Sequence, residues 1–144
     1  VITIRHTADT TSAVYRDALA IRKDVFIKEQ HVSETEEIMA EDSCTHFVLY
    51  DEGRPLATCR LLPKSDAIYK VQRVAVLKAA RGKRYGEKIM LAAEDFARAA
   101  GATELVLGAQ TTALGFYCTL GYEAYGNEYL DANIPHYDMK KELR

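Results

Sequence analysis

The stretch VQRVAVLKAARGKRYGEKIM, from Val71 to Met90, packs six basic side chains and two glycines between an apolar run and a helical one. Arg81, Lys83 and Arg84 carry full positive charge, while Gly82 and Gly86 permit close approach to bare backbone. A strand that leads through a short loop into a helix leaves unpaired N–H groups at the helix start. The helix dipole adds partial positive charge at the same point. That combination suits a diphosphate. Neither the G-x-x-x-x-G-K-S/T loop nor the G-x-G-x-x-G fingerprint occurs, which excludes a nucleotide held in either of those ways. The competing reading is an ordinary solvated basic loop.

The rest of the composition narrows the classes. A formal net charge of −2 argues against a general nucleic-acid binder, which needs a broad basic face. With 144 residues, 48% hydrophobic and 28% charged, the chain reads as one globular domain over residues 1–144. Cys44, Cys59 and Cys118 are odd in number and widely spaced, so they indicate neither a zinc site nor a disulfide framework. They read as small core residues in a reducing compartment. No apolar run approaches the ~20 residues that span a bilayer, and VITIRHTADTT has no apolar leader region. The expectation is a cytoplasmic protein with no membrane partner, no nucleic-acid partner and no metal.

Elements must hold that basic loop in place. VITIRH alternates as a first strand, and Thr10, Thr11 or Ser12 can cap a helix with the stripe Val14, Ala18, Ile21 and Val25. VFIKEQHVSETEEIMAED suggests a second short helix and an acidic loop. THFVLY and PLATCRLL flank DEGR as a hairpin, and IYKVQRVAVL continues the meander. Tyr85, Ile89, Ala93, Phe96 and Ala100 mark a long amphipathic helix closed by Gly101. ELVLGA then reads as a buried strand, parallel to its predecessor because a helix connects the two. TTALGFYCTLG is a short helix. YEAYG and HYDMKKEL close the sheet, separated by a loop holding Asn127, Asn133 and Pro135. The order β-α-α-β-β-β-α-β-α-β-β predicts an α/β fold with a mixed sheet and helices on its faces.

RVAVLKAARGKRYGEKIM followed by GATELVLGAQTTALGFYCTLGY resembles the GNAT superfamily of acetyl-coenzyme A-dependent N-acetyltransferases. That family runs from a strand into Q/R-x-x-G-x-G/A and a helix, then to a strand, Asn-x-x-Ala, and a Tyr before Gly-Phe/Tyr. Arg81 and Gly86 stand at the ends of the first motif, and Arg84 stands where its first glycine is expected. Gln110 takes the Asn place, ahead of Ala113, Tyr117 and the Gly121–Tyr122 pair. RKDVFIKEQ, HFVLYDEGRPLATCRL, AQTTALGFY and IPHYDMKK are similar to the ElaA-like branch, so the resemblance covers almost the whole chain.

The resemblance implies a mostly antiparallel sheet with a V-shaped split between two central parallel strands, and acetyl-coenzyme A as donor. Carried over, Val74, Ala75 and Val76 would bond the cofactor's pantetheine arm. Arg81, Gly82, Lys83, Arg84, Tyr85, Gly86 and Glu87 would hold its diphosphate. Gln110, Ala113, Phe116 and Tyr117 would line its far side. Tyr117 would also protonate the departing thiolate; the alternative is that it packs beside Phe116. Glu29 or His136 would accept the amine's proton, although a histidine beside a proline can equally hold a loop. His46 reads as a packing or turn residue, and the acidic run from Glu34 to Asp42 as a solvated face or a lure for a cationic amine.

The function this implies is acetyl transfer to a primary amine of a small molecule or peptide, by direct attack in a ternary complex. The alternatives are a non-catalytic acetyl-coenzyme A-binding module, or a basic patch docking an acidic protein or RNA. A homodimer is possible from family habit.

Overall fold

A computed structural model describes residues 1–29 and 41–143, the side chains of residues 28 and 29 excepted. Its strands are β1 (Ile2–Thr7), β2 (Thr45–Asp51), β3 (Arg54–Pro63), β4 (Ile68–Val76), β5 (Glu104–Gln110), β6 (Glu123–Asp131) and β7 (Ile134–Glu142). They form one sheet in the order β1-β2-β3-β4-β5-β7-β6. β4 and β5 are parallel, and every other neighbouring pair is antiparallel. The helices are α1 (Ala13–Arg22), which runs on into a π-helical stretch (Lys23–Glu29), α2 (Tyr85–Ala99) and the short α3 (Leu114–Thr119). No helix among the described residues is long and apolar enough to cross a membrane.

Local chemistry explains the ends of these elements. The Ser12 hydroxyl accepts from the Tyr15 N–H at 3.2 Å and so caps α1. Glu52 and Gly53 take φ of 52° and 77°, the paired left-handed geometry that matches the strand twist in a two-residue hairpin. Ala132 and Asn133, at 50° and 63°, make a second such turn between β6 and β7. The wide loop expected there is therefore a tight turn. Asn127 belongs to β6 and Pro135 to β7, where the pairing with β5 reaches only to His136, beyond the proline.

Alternate strand residues point to opposite faces and build two cores. Ile89, Met90, Ala93 and Ala97 of α2 pack with Phe47, Leu49, Cys59, Leu61, Leu105 and Leu107. On the other face Ala18, Ile21 and Val25 meet Val48 and Ala75. The expected α2 stripe holds at Tyr85, Ile89 and Ala93, but Phe96 is only partly buried and Ala100 is exposed as the C-cap. Ala97 takes the inward position because it continues the four-residue spacing of 85, 89 and 93. Glu94 is also buried, accepting from the Tyr122 hydroxyl at 3.0 Å and pairing with Lys141 at 2.9 Å. This fixes α2 against the far half of the sheet.

A second buried polar cluster lies on the α1 face. Glu41 accepts from Arg22 at 2.5 Å and Arg60 at 3.1 Å, and the His46 Nε2 lies 3.4 Å from the same carboxylate. Both guanidiniums and the imidazole are fully or almost fully buried. His46 thus belongs to an ionic cluster, where its imidazole packs edge-on to Tyr15. Burial lowers the His46 pKa, against the backbone carbonyl and charge of Glu41, which raise it. A depressed histidine makes the folded state bind fewer protons than the unfolded one, so its stabilisation is present above pH ~6.5 and fades as pH falls. Thermal melts of His46→Gln are expected to show a flatter loss of stability between pH 6.5 and 5, by up to about 1.4 kcal/mol per pH unit. Parallel slopes in both proteins would assign that loss to other groups.

Candidate active site

β4 and β5 pair only from Ile68 with Glu104 to Val71 with Leu107. Just beyond, Arg73 and Val74 together face Cys59 of β3, because the register passes from Arg60–Gln72 to Thr58–Ala75. Arg73 takes φ of 56° there. An extra residue bends the bulged strand and raises its twist, and here it sits where β4 leaves β5. The outcome is a split in the middle of the sheet.

A cavity of about 990 Å³ fills that split, at the upper end of the volumes that hold small ligands. One end opens at the start of α2. Arg84 is the N-cap residue at φ 63° and ψ 21°, and no side chain caps the helix. The first intrahelical bond runs from the Lys88 N–H to the Arg84 carbonyl, so the preceding amides of the first turn stay without intrahelical partners. The left-handed geometry is the one a glycine adopts freely, and here an arginine accepts its cost of about 1 kcal/mol. Beside it the Arg81 Nε donates to the Val76 carbonyl at 3.1 Å.

The predicted residues converge on this cavity. Val74, Ala75, Val76, Arg81, Gly82, Arg84, Tyr85, Gly86, Glu87, Gln110, Ala113, Phe116, Tyr117 and His136 all line it. Lys83 is exposed and does not line it. Glu29 ends the π-helical stretch, and its side chain lies outside the described residues, as do the residues of the acidic run before Glu41. Cys118 is exposed and off the cavity, while Cys44 and Cys59 are buried, with their thiols held protonated by burial. Among the described residues no His, Cys, Asp and Glu group could hold a metal.

Tyr117 is 8% exposed, edge-on to Phe116 at 4.9 Å and to Tyr122 at 6.0 Å. Burial, with a smaller contribution from Cys59, raises its phenol above the ordinary tyrosine range. Such a group keeps its proton until a stronger base forms beside it. The His136 Nδ1 lies 2.6 Å from the Ile134 carbonyl. A carbonyl only accepts, so Nδ1 carries a proton, and in the neutral tautomer of this ring Nε2 holds the lone pair. That ring stacks on Tyr129, whose hydroxyl donates to Asp138 at 2.7 Å. Tyr129 lies across Gly108: a Cβ at that glycine would come within 2.5 Å of the tyrosine oxygen. Gly86 is the matching device on the other wall, where a Cβ would stand 3.2 Å from Phe116 Cζ.

Phe26, Gln72, Tyr129 and Asp131 also line the cavity and were not anticipated. For Tyr129 a signal existed: its even spacing from Tyr125, which continues one strand face, was masked by reading Gly126 and Asn127 as the strand's end. For Gln72 none did, since nothing local marks the bulge that follows it.

With this geometry in place, likeness to known proteins is informative. The family model described as an acetyltransferase (GNAT) domain matches residues 9–143. The uncharacterised N-acetyltransferase YjcF of Bacillus subtilis is 41% identical over 129 residues, 88% of this chain and 91% of its own. The crystal structure of a Lactobacillus plantarum protein described as an N-acetyltransferase is 31% identical, covers 100% of this chain and 99% of its own, and superposes with a TM-score of 0.92. Escherichia coli ElaA shares the fold at 22% identity and a TM-score of 0.84, covering 99% of this chain and 100% of its own.

Proposed function

We propose, since this chain belongs to the GNAT acetyltransferase family, that it moves an acetyl group from acetyl-coenzyme A to a primary amine by direct attack in a ternary complex. One observation carries the reading: a single cavity runs from the uncapped start of α2 into the split between β4 and β5. A diphosphate and a thioester on one long ligand need those two places joined.

The amides of Tyr85, Gly86 and Glu87 would receive the diphosphate, with Gly82 allowing close approach and Arg81, Lys83 and Arg84 adding charge. Val74, Ala75 and Val76 border the pantetheine arm. A backbone N–H of this strand aimed at the thioester oxygen would stabilise the oxyanion, an effect of about 3 kcal/mol per donor. Gln110, Ala113 and Phe116 close the far wall. The amine lone pair attacks the carbonyl carbon, the C–S bond breaks, and Tyr117 gives its proton to the departing sulfur. Its raised phenol recovers a proton readily. The proton shed by the amine passes to His136, whose Nε2 lone pair suits that task, or to Glu29.

Thiol release from acetyl-coenzyme A, screened over amines, polyamines, amino sugars and peptides, tests the reading. Turnover with at least one acceptor is expected; coenzyme A binding without turnover for any acceptor would mark a binding module instead. A further expectation concerns Gly86. Gly86→Val would push into Phe116 and Val76, an overpacking cost of about 1–3 kcal/mol. Coenzyme A affinity by calorimetry should fall about tenfold or more, and unchanged affinity would show that Phe116 can retreat without narrowing the site.

A further inference from the structure

Two groups on β4 that the acyl transfer leaves unused, Lys70 and Gln72, line the cavity at the closed end of the split. Gln72 is held in one orientation. The Arg60 Nε–H donates to its Oε1 at 3.1 Å, and Arg60 is itself 1% exposed and tied to Glu41. A guanidinium only donates, so the amide presents its oxygen to Arg60 and its amino group elsewhere. Among the described residues that amino group has no partner, and Lys70 forms no ion pair.

The side of the sheet is also fixed. Cys59 and Leu61 belong to the α2 core, so Arg60 between them lies on the α1 face, as its link through Glu41 to Arg22 requires. Gln72, bonded to Arg60, is on that face too. The start of α2 is on the other. A donor gripped there and reaching through the split meets its acceptor on the α1 face, beside Gln72 and Lys70. Across the gap the β6–β7 hairpin contributes Asp131 and His136 to the same cavity.

We infer that the acceptor is an amine that also bears a carboxylate, an amino-acid-type zwitterion. Lys70 and the Gln72 amino group receive the carboxylate, and Asp131 and His136 face the amine end. This rests on the acetyl-transfer reading and adds the acceptor's class to it.

The test uses matched pairs: phenylalanine against phenethylamine, and 4-aminobutanoate against 1,4-diaminobutane. Wild-type protein with acetyl-coenzyme A should favour the carboxylate member of at least one pair about tenfold or more in kcat/KM, as a site built around donors rejects a ligand that leaves them unpaired. Gln72→Glu keeps an oxygen for Arg60 while replacing the donor by a negative charge. It should abolish the preference through KM, with coenzyme A affinity unchanged. Lys70→Gln should lower the preference without abolishing it.

Saturation-transfer NMR on the coenzyme A-loaded protein reads the same pairs without turnover. Preferential contact by the carboxylate member, lost in Gln72→Glu, supports the site even where no thiol is released, and that combination would count against the acetyl-transfer reading alone. Equal contact by both members of each pair, or a preference that survives Gln72→Glu, overturns the inference.

Discussion

Tyr117→Phe is expected to lower kcat about 100-fold or more, at the low end of what a positioned general acid contributes, while coenzyme A affinity stays within about twofold. The substitution removes one oxygen and leaves the ring, so the edge contacts with Phe116 and Tyr122 survive. Among the described residues the hydroxyl makes no hydrogen bond, so its removal strands no partner. In the proposed mechanism its value lies in the proton given to the leaving sulfur, and 100-fold corresponds to about 2.7 kcal/mol of the barrier. The pH profile supplies a second readout. Burial holds this phenol protonated beyond the ordinary tyrosine range, so deprotonation of Tyr117 cannot cause a fall in rate between pH 8 and 9. Unchanged kcat in the variant would reduce Tyr117 to a packing residue beside the arm.

Glu41→Ala should cost about 3–5 kcal/mol of stability, the penalty for leaving buried cations without their counter-charge. Arg22 and Arg60 are fully or almost fully buried and both reach this carboxylate. Burial pushes the Glu41 carboxyl up, but the hydrogen bond and charge of Arg22, with the charges of His46 and Arg60, outweigh it and leave the pKa below the ordinary glutamate value. Its contribution is therefore present above pH ~4.5 and lost as pH falls further, a lower window than that of His46. Chemical denaturation at pH 7 should show an earlier midpoint with an unchanged slope. Glu41→Gln, which keeps one acceptor oxygen but no charge, should fall between wild type and Glu41→Ala. A loss below about 1 kcal/mol is what exposed ion pairs show, and it would mean that water reaches the cluster.

The sequence by itself determined the elements, because their signals are local. Hydrophobic periodicity, a cap candidate among Thr10, Thr11 and Ser12, and the DEGR turn located seven strands and the long helix in the right order, with Ser12 the one that caps. The basic loop with its two glycines was legible as a candidate anion site, and it lines one end of the cavity, since charge, bare backbone and a helix start all lie within a few consecutive residues. Tertiary structure alone decided the rest. The split depends on an extra residue in β4, opposite Cys59, and Arg73 carries no side-chain sign that it will take a left-handed backbone. The Arg22–Glu41–Arg60–His46 cluster gathers side chains from α1, β2, β3 and the turn before β2, although in isolation Glu41 reads as part of a solvated acidic face and His46 as a packing or turn residue. Gln72 acquires an orientation only because Arg60 lies on the neighbouring strand. Capping and hairpin turns are settled between residues a turn apart, whereas a bulge, a buried charge or a fixed amide is settled by whichever strands the sheet lays side by side.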